Sequence, residues 1–151
     1  MAAGDRRPVE DHPESIRPVG GAVHHADSPQ GPAILVVDDD PTFCAIMAEI
    51  LRMYRARVYT ASSAREAMTI LERVTPDLIL TDVMMPEIDG LTFVRRIRSG
   101  GSLEGVRIII VSARVSHLEQ AAALQAGADQ FLSKPFSIVE LRAAVGRLLP
   151  N

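Results

Sequence analysis

Asp77-Leu78-Ile79-Leu80-Thr81-Asp82 runs straight into Val83-Met84-Met85-Pro86-Glu87-Ile88-Asp89-Gly90. The apolar run from Leu78 to Leu80 is too short for a helix and lies between Pro76 and Pro86, so it reads as a buried strand ending at Asp82. In open α/β sheets, ligands bind outside the carboxyl ends of the strands, where the loops carry chemistry and the strands hold them in place. A single Asp there decides little. A second run of the same design, Ala33-Ile34-Leu35-Val36-Val37, ends in Asp38, Asp39 and Asp40. If the two strands are neighbours, their carboxylates crowd one small volume and raise one another's pKa. A hard divalent cation such as Mg²⁺, taken through oxygen ligands, removes that conflict.

The chain has 151 residues, 47% of them hydrophobic and 23% charged, which suits one ordinary folded domain. No apolar run approaches the ~20 residues needed to span a bilayer, and the charges near the N-terminus have no apolar segment behind them. Neither a membrane helix nor a signal peptide is expected, and the expected location is cytoplasmic. Cys44 is the one cysteine; inside a helical pattern it reads as a buried small hydrophobe. A net charge of -3, with no basic block and no Trp, argues against direct nucleic-acid binding. All the basic side chains are Arg except Lys134, which marks that position as one wanting a compact ammonium instead of a planar fork.

Residues 1–32 are rich in Pro and Gly, carry His12, His24 and His25, and have few large apolar side chains. Such a segment cannot offset its own ordering entropy, so a disordered tail is predicted there, with the folded domain over 33–150. After the first strand, Pro41 fits the opening turn of a helix whose apolar stripe is Phe43, Ile46, Met47, Ile50, Leu51 and Tyr54. Arg57 to Ala61 reads as a short edge strand. Ser63-x-x-Glu66 is a capping-box pattern opening a helix with Ala67, Met68, Leu71 and Val74 inward. Beyond Asp82, a turn at Pro86 and Asp89-Gly90 leads to a third helix marked by Leu91, Val94 and Ile97, and Ser99 to Ser102 is a loop. Val106 to Val111 is an apolar strand ending at Ser112. Ser116-x-x-Glu119 caps an Ala-rich helix running to Gly127. Gln130 to Ser133 is a last strand ending at Lys134-Pro135, and Ser137-x-x-Glu140 caps a final helix with Ile138, Leu141, Val145 and Leu148 inward.

Five strands alternating with five helices predict an α/β fold, a parallel sheet covered on both faces with right-handed crossovers. Asp38 to Asp40, Asp82, Ser112 and Lys134 then follow strands one, three, four and five at one edge. Together they suit a phosphoryl group: carboxylates for Mg²⁺, one carboxylate to attack phosphorus, and a hydroxyl and an ammonium for the equatorial oxygens.

From Ala33 to Pro150 the chain resembles the receiver domain of two-component response regulators. The resemblance is carried by Asp38-Asp39 after an apolar strand, the Asp82 strand with Met85-Pro86 and Asp89-Gly90 behind it, Val111-Ser112-Ala113, and Lys134-Pro135-Phe136. It implies a flavodoxin-like (βα)5 three-layer sandwich with a five-stranded parallel sheet in the order 2-1-3-4-5. It also implies that Asp82 accepts a phosphoryl group from a sensor histidine kinase or a histidine phosphotransfer protein. Mg²⁺ would be held by Asp39, Asp82 and the carbonyl of Met84, with Asp38 acting through water. Ser112 and Lys134 would contact the phosphoryl oxygens, and Phe131 would be the aromatic switch that turns inward as Ser112 moves. Met84 and Arg114 would set the phosphoryl lifetime; an apolar Met84 cannot orient an attacking water, so slow self-dephosphorylation is expected. A cis bond before Pro135 is also implied. Only two residues follow Leu149, so the expectation is a stand-alone switch, a monomer or weak dimer without turnover of a separate substrate. It would act by binding a downstream target protein, and the face of the fourth helix, fifth strand and fifth helix carries Leu118, Gln125, Gln130 and Arg142 for that purpose.

Two other readings share these residues. Asp38-x-Asp40-x-Thr42 resembles the first motif of haloacid dehalogenase-type phosphatases, with Asp38 as nucleophile and Asp40 as general acid, although only Glu140 follows Lys134 as a metal-binding acid and no cap domain is present. A receiver-shaped interaction module that is never phosphorylated is the other.

Overall fold

The computed structural model describes residues 31–149. The tail expected over 1–32, with its three histidines, lies almost wholly outside them, as does Pro150. Strand and helix alternate throughout: β1 (Ala33–Val37), α1 (Pro41–Arg52), β2 (Arg57–Ala61), α2 (Ala64–Leu71), β3 (Leu78–Asp82), α3 (Gly90–Ser99), β4 (Arg107–Ser112), α4 (His117–Ala126), β5 (Gln130–Ser133) and α5 (Ile138–Leu148). The strands are parallel in the order β2-β1-β3-β4-β5, which places β1 beside β3.

The central strands carry continuous apolar runs, Ala33–Val37, Leu78–Leu80 and Ile108–Val111, because both faces of the sheet are covered. Side chains alternate between two cores. Leu35, Val37, Ile79, Ile108 and Ile110 face α2, α3 and α4, where Ala67, Ile70, Phe93, Ile97 and Ala123 meet them. Ile34, Val36, Leu78, Leu80, Ile109 and Val111 face α1 and α5 and meet Met47, Leu51, Leu141 and Ala144.

Two apolar residues assigned inward by periodicity are on the surface: Ile46 is 52% exposed and Ile138 51%. Each lies off the centre of its helix's buried stripe, and in α5 the inner face is completed by the smaller Ala144. Ser99 belongs to the end of α3 instead of the loop. Of the three expected capping boxes only Ser137/Glu140 closes reciprocally. Ser63 and Ser116 each accept the backbone N–H three residues on, but the carboxylate of Glu66 turns to Ser62 and that of Glu119 to Arg114. β2 is an edge strand and Cys44 is buried, both as expected; desolvation pushes the Cys44 thiol up to about 11, which leaves it unreactive.

The edge of the sheet opposite the acidic loops is tied by one guanidinium that the sequence pattern did not single out. Arg98, in the last turn of α3, donates to the carbonyls of Gly127 (2.9 Å), Glu104 (2.9 Å) and Val106 (2.6 Å) and to Oδ2 of Asp129 (2.9 Å). Asp129 also accepts the N–H of Ile108. Gly127 sits at φ 118° to end α4 in a left-handed cap, and a Cβ there would lie 2.6 Å from Cγ of Arg98. A lysine cannot reproduce this planar, four-point contact. Arg98→Met is expected to cost about 2–3 kcal/mol in urea denaturation, with Arg98→Lys recovering less than half of it. A neutral Arg98→Met would show that the clamp contributes nothing.

Candidate functional site

β1 and β3 pair from Ile34↔Leu78 to Val37↔Thr81, so the residues that leave them, Asp38 and Asp39 on one side and Asp82 on the other, come out side by side. One carboxylate oxygen from each of Asp38, Asp39 and Asp82 lies within 4.8 Å of the other two. On the other side of β3, Asp82 pairs with Val111, which brings Ser112 to the same edge, and Ser112 pairs with Ser133 at the end of β5. The backbone N–H of Lys134 donates to the Ser112 carbonyl at 2.8 Å, and the Lys134–Pro135 peptide is cis.

Lys134 reaches back across two strands. Its Nζ donates to Oδ2 of Asp38 at 2.7 Å and stands 3.6 Å from Oδ2 of Asp82. The ammonium also lies 4.1 Å from the ring centroid of Phe43, and Phe136 meets that ring edge-on at 6.1 Å. Phe43 thus serves the site through a cation–π contact as well as the α1 stripe. No pattern local to residues 41–52 could reveal this, because the partner, Lys134, lies far along the chain beyond four further strands.

Each carboxylate is held differently. Asp38 is 1% exposed; its Oδ1 accepts the N–H of Asp40 at 2.9 Å while Oδ2 holds Lys134. Asp40 caps α1 by accepting the N–H of Thr42. With both its oxygens engaged, Asp38 is not free for the nucleophile role of the phosphatase resemblance. Asp39 is exposed at the mouth. Asp82 accepts the N–H groups of Val83 (2.8 Å) and Met84 (3.3 Å) on Oδ1 alone, which leaves Oδ2 toward Lys134 and the opening. Burial raises the Asp82 pKa above its ordinary 3.8; Lys134 lowers it, Asp38 raises it, and the two N–H donors only partly offset the rise. For Lys134, burial lowers the pKa, but contacts with Asp38 and Asp82 outweigh it and the net direction is upward.

Gly90 has no room for a side chain: a Cβ would lie 2.1 Å from the Asp82 carbonyl oxygen. Its N–H donates to the Val83 carbonyl, so the whole loop from Asp82 folds back on the start of α3. Met84 lies outside the cluster with a 54% exposed side chain. Ser112 is buried and its Oγ accepts the N–H of Arg114 at 3.1 Å. Phe131 is half-buried against the α2–α3–α4 core. The structure gathers Asp38, Asp39 and Asp82, with Lys134 reaching Asp38 and Asp82, and puts Ser112 at the end of β4 and Met84 and Arg114 on the loops that follow β3 and β4. Three carboxylates against one ammonium leave excess negative charge, and an all-oxygen donor set of this size fits a hard cation such as Mg²⁺.

Residues 34–146 match the Response regulator receiver domain family. The chain belongs to the response regulator receiver domain family. The response regulator MprA of Mycolicibacterium vanbaalenii is 40% identical over 116 residues, which are 77% of this chain and 49% of that protein; the chain spans about half the length of the curated relatives it matches. Among solved structures, the signal receiver domain of a signal transduction histidine kinase from Syntrophus aciditrophicus superposes with a TM-score of 0.73 at 33% identity, covering 79% of this chain and 90% of that one. The receiver domain of a sensor histidine kinase from Pseudomonas aeruginosa, with a magnesium ion coordinated in its active site cleft, gives 0.72 at 32% identity over 78% and 97%. The (βα)5 receiver fold and its strand order are therefore those the sequence led us to expect.

In this receiver domain the raised Asp82 pKa has a direct stability consequence. A carboxyl whose folded-state pKa is raised favours folding when protonated, and that contribution is lost as pH rises through the folded value. In chelator near neutral pH, Asp82→Asn is expected to raise the thermal midpoint by about a few degrees, the gain fading as pH falls toward the ordinary carboxyl value. A lower midpoint for the variant would mean that the pull of Lys134 outweighs burial.

Proposed function

We propose that this chain is the phosphoacceptor of a two-component phosphorelay, with Asp82 taking the phosphoryl group of a histidine kinase or a histidine phosphotransfer protein. The observation that carries it is the position of Lys134, bonded to buried Asp38 and 3.6 Å from the freer oxygen of Asp82. Oδ2 of Asp82 attacks phosphorus, the P–N bond breaks with its electron pair going to the donor imidazole, and that nitrogen takes up a proton. The transition state is loose, so positioning and charge neutralisation are most of what a protein can contribute.

Each residue has one task in this scheme. The Val83 and Met84 N–H groups hold Oδ1 and so aim Oδ2 outward. Lys134, steadied by Asp38 and the Phe43 ring, moves from Asp82 to a phosphoryl oxygen, and Ser112 donates its hydroxyl to another. Asp39, Asp82 and the Met84 carbonyl would hold Mg²⁺, with Asp38 contributing through water. When bound, that ion supplies positive charge to the phosphoryl oxygens. As Ser112 moves, Phe131 turns further inward and alters the α4–β5–α5 face, where Leu118 is 83% exposed and Gln125 is also at the surface; Arg142, expected on that face, instead stacks over the Tyr54 ring at 5.6 Å on the α1 side of α5. Gln130 is half-buried and donates to the Ala144 carbonyl, so it braces that face from below. The output is binding of a downstream target protein by a monomer or weak dimer, without turnover of a separate substrate. Because kinases draw their phosphoryl group from ATP, the exchange belongs in the cytoplasm. The tail over 1–32 and the domain over 33–150 complete this assignment.

Incubation with Mg²⁺ and acetyl phosphate is expected to add one phosphoryl group by intact mass, lost in Asp82→Asn and retained in Asp38→Asn at a lower rate. No mass change in the parent protein would instead favour the never-phosphorylated module, and label surviving in Asp82→Asn would overturn Asp82 as acceptor. Met84 presents no polar group to orient an attacking water, so the acyl phosphate should be long-lived. Met84→Glu is expected to shorten its half-life by about tenfold, less than the roughly hundredfold at the low end of full general-base catalysis because the carboxylate would only orient the water, read as the decay of the phosphorylated mass after donor removal. Decay of the parent within seconds would contradict this.

A further inference from the structure

Arg114, on the loop after β4, and Glu119, in the first turn of α4, link the site to that helix. Ser112 Oγ accepts the Arg114 N–H at 3.1 Å, which ties the Arg114 backbone to the hydroxyl assigned to the phosphoryl group. The Arg114 side chain is mostly exposed and its Nη1 lies 3.9 Å from Oε1 of Glu119, a long ion pair at the surface. Contacts of this kind are weak and easily exchanged.

Glu119 is the third residue of α4. Ser116 caps that helix by accepting the Glu119 N–H at 3.1 Å, but the Glu119 carboxylate does not return to the Ser116 N–H. The same arrangement at α5 is complete: Ser137 and Glu140 exchange both bonds. Along α4 only Ala123 and Ala126 are buried and Leu118 projects into solvent, so its first turn is held mainly by the Ser116 cap and by the Gln120 amide donating to the Val115 carbonyl at 3.1 Å. The carboxylate that would close the cap is the one engaged by Arg114.

We propose that Arg114 is an electrostatic latch: a phosphoryl group on Asp82 draws its guanidinium off Glu119, and the released carboxylate closes the α4 capping box. Resting on the phosphoacceptor reading, this extends it to a specific coupling between the site and the first turn of α4. A phosphoryl group brings close to two negative charges and three strong acceptor oxygens, against the single, distant carboxylate oxygen that Arg114 now faces. Closing the box satisfies one more orphan N–H at the α4 N-terminus and places a carboxylate where the helix dipole favours it. Phosphorylation thereby orders the segment that carries Leu118.

Hydrogen exchange on the full chain, with and without Mg²⁺ and acetyl phosphate, tests this with intact mass recorded on the same samples. In the parent protein, phosphorylation is expected to slow exchange across His117–Gln120 by roughly threefold, the size of one exposed charge contact. Arg114→Met, compared with the parent at equal phosphoryl occupancy read from the intact mass, should show no phosphate-dependent slowing there. Glu119→Ala, which cannot close the box, should show none either. Slowing of equal size in Arg114→Met would overturn the latch while leaving Asp82 as acceptor. Absence of the mass increase in the parent would overturn the phosphoacceptor reading and the latch with it.

Discussion

The contact between Lys134 and Asp38 joins residues 96 positions apart and is the point at which the fold and the site become one problem. A carboxylate buried as deeply as Asp38 is costly unless it is both paired and hydrogen-bonded. Here the ammonium takes one oxygen and the Asp40 N–H the other. That solution requires β5 to deliver Lys134 over the ends of β4 and β3, and it requires the turn after β1 to present a backbone N–H inward. The Phe43 ring beneath the ammonium and Phe136 against that ring narrow its position further. The result is a cation held ready for an oxygen that is not part of the protein.

The sheet order turns this local arrangement into a pocket. With β1 and β4 flanking β3, every strand that ends in a polar residue of interest ends at the same edge, and right-handed crossovers send the helices to both faces where they cannot block it. The opposite edge is closed instead, by Arg98 gathering the α3–β4 and α4–β5 loops. A rigid lower edge and a charged, loop-built upper edge suit a switch, since strain introduced at the top has few places to relax except through the elements resting on it. α4 buries the least apolar bulk of these, two alanines against Leu141 and Ala144 of α5 and four residues in each of α1, α2 and α3.

Where pattern and structure part, the reason is tertiary. Ile46 and Ile138 satisfy helical spacing yet face solvent, because spacing defines a stripe about a helix but not how wide a neighbour covers it. Glu66 and Glu119 satisfy the capping spacing yet find Ser62 and Arg114 instead of closing the box. Phe43 reads as core and proves also to be a support for Lys134. Arg98 reads as one more basic residue in a last turn and proves to be a hub, because its partners come from loops that only the finished fold assembles.

Much of this protein was legible in one dimension. Apolar runs of strand length, punctuated by Pro and Gly and alternating with helical periodicity, determined an α/β sheet, and the placement of Asp38, Asp39, Asp82, Ser112 and Lys134 just after those runs determined the edge at which chemistry is possible. Strand bounds at β1, β2 and β5 followed from residue type alone, since short-range sterics and burial on both faces set them. Only the three-dimensional structure decided which oxygen of Asp82 is free, which carboxylate Lys134 neutralises, and where Arg114 spends its charge. Those are matters of a few ångströms between groups far apart in the chain, and such distances are fixed by packing rather than by any local preference.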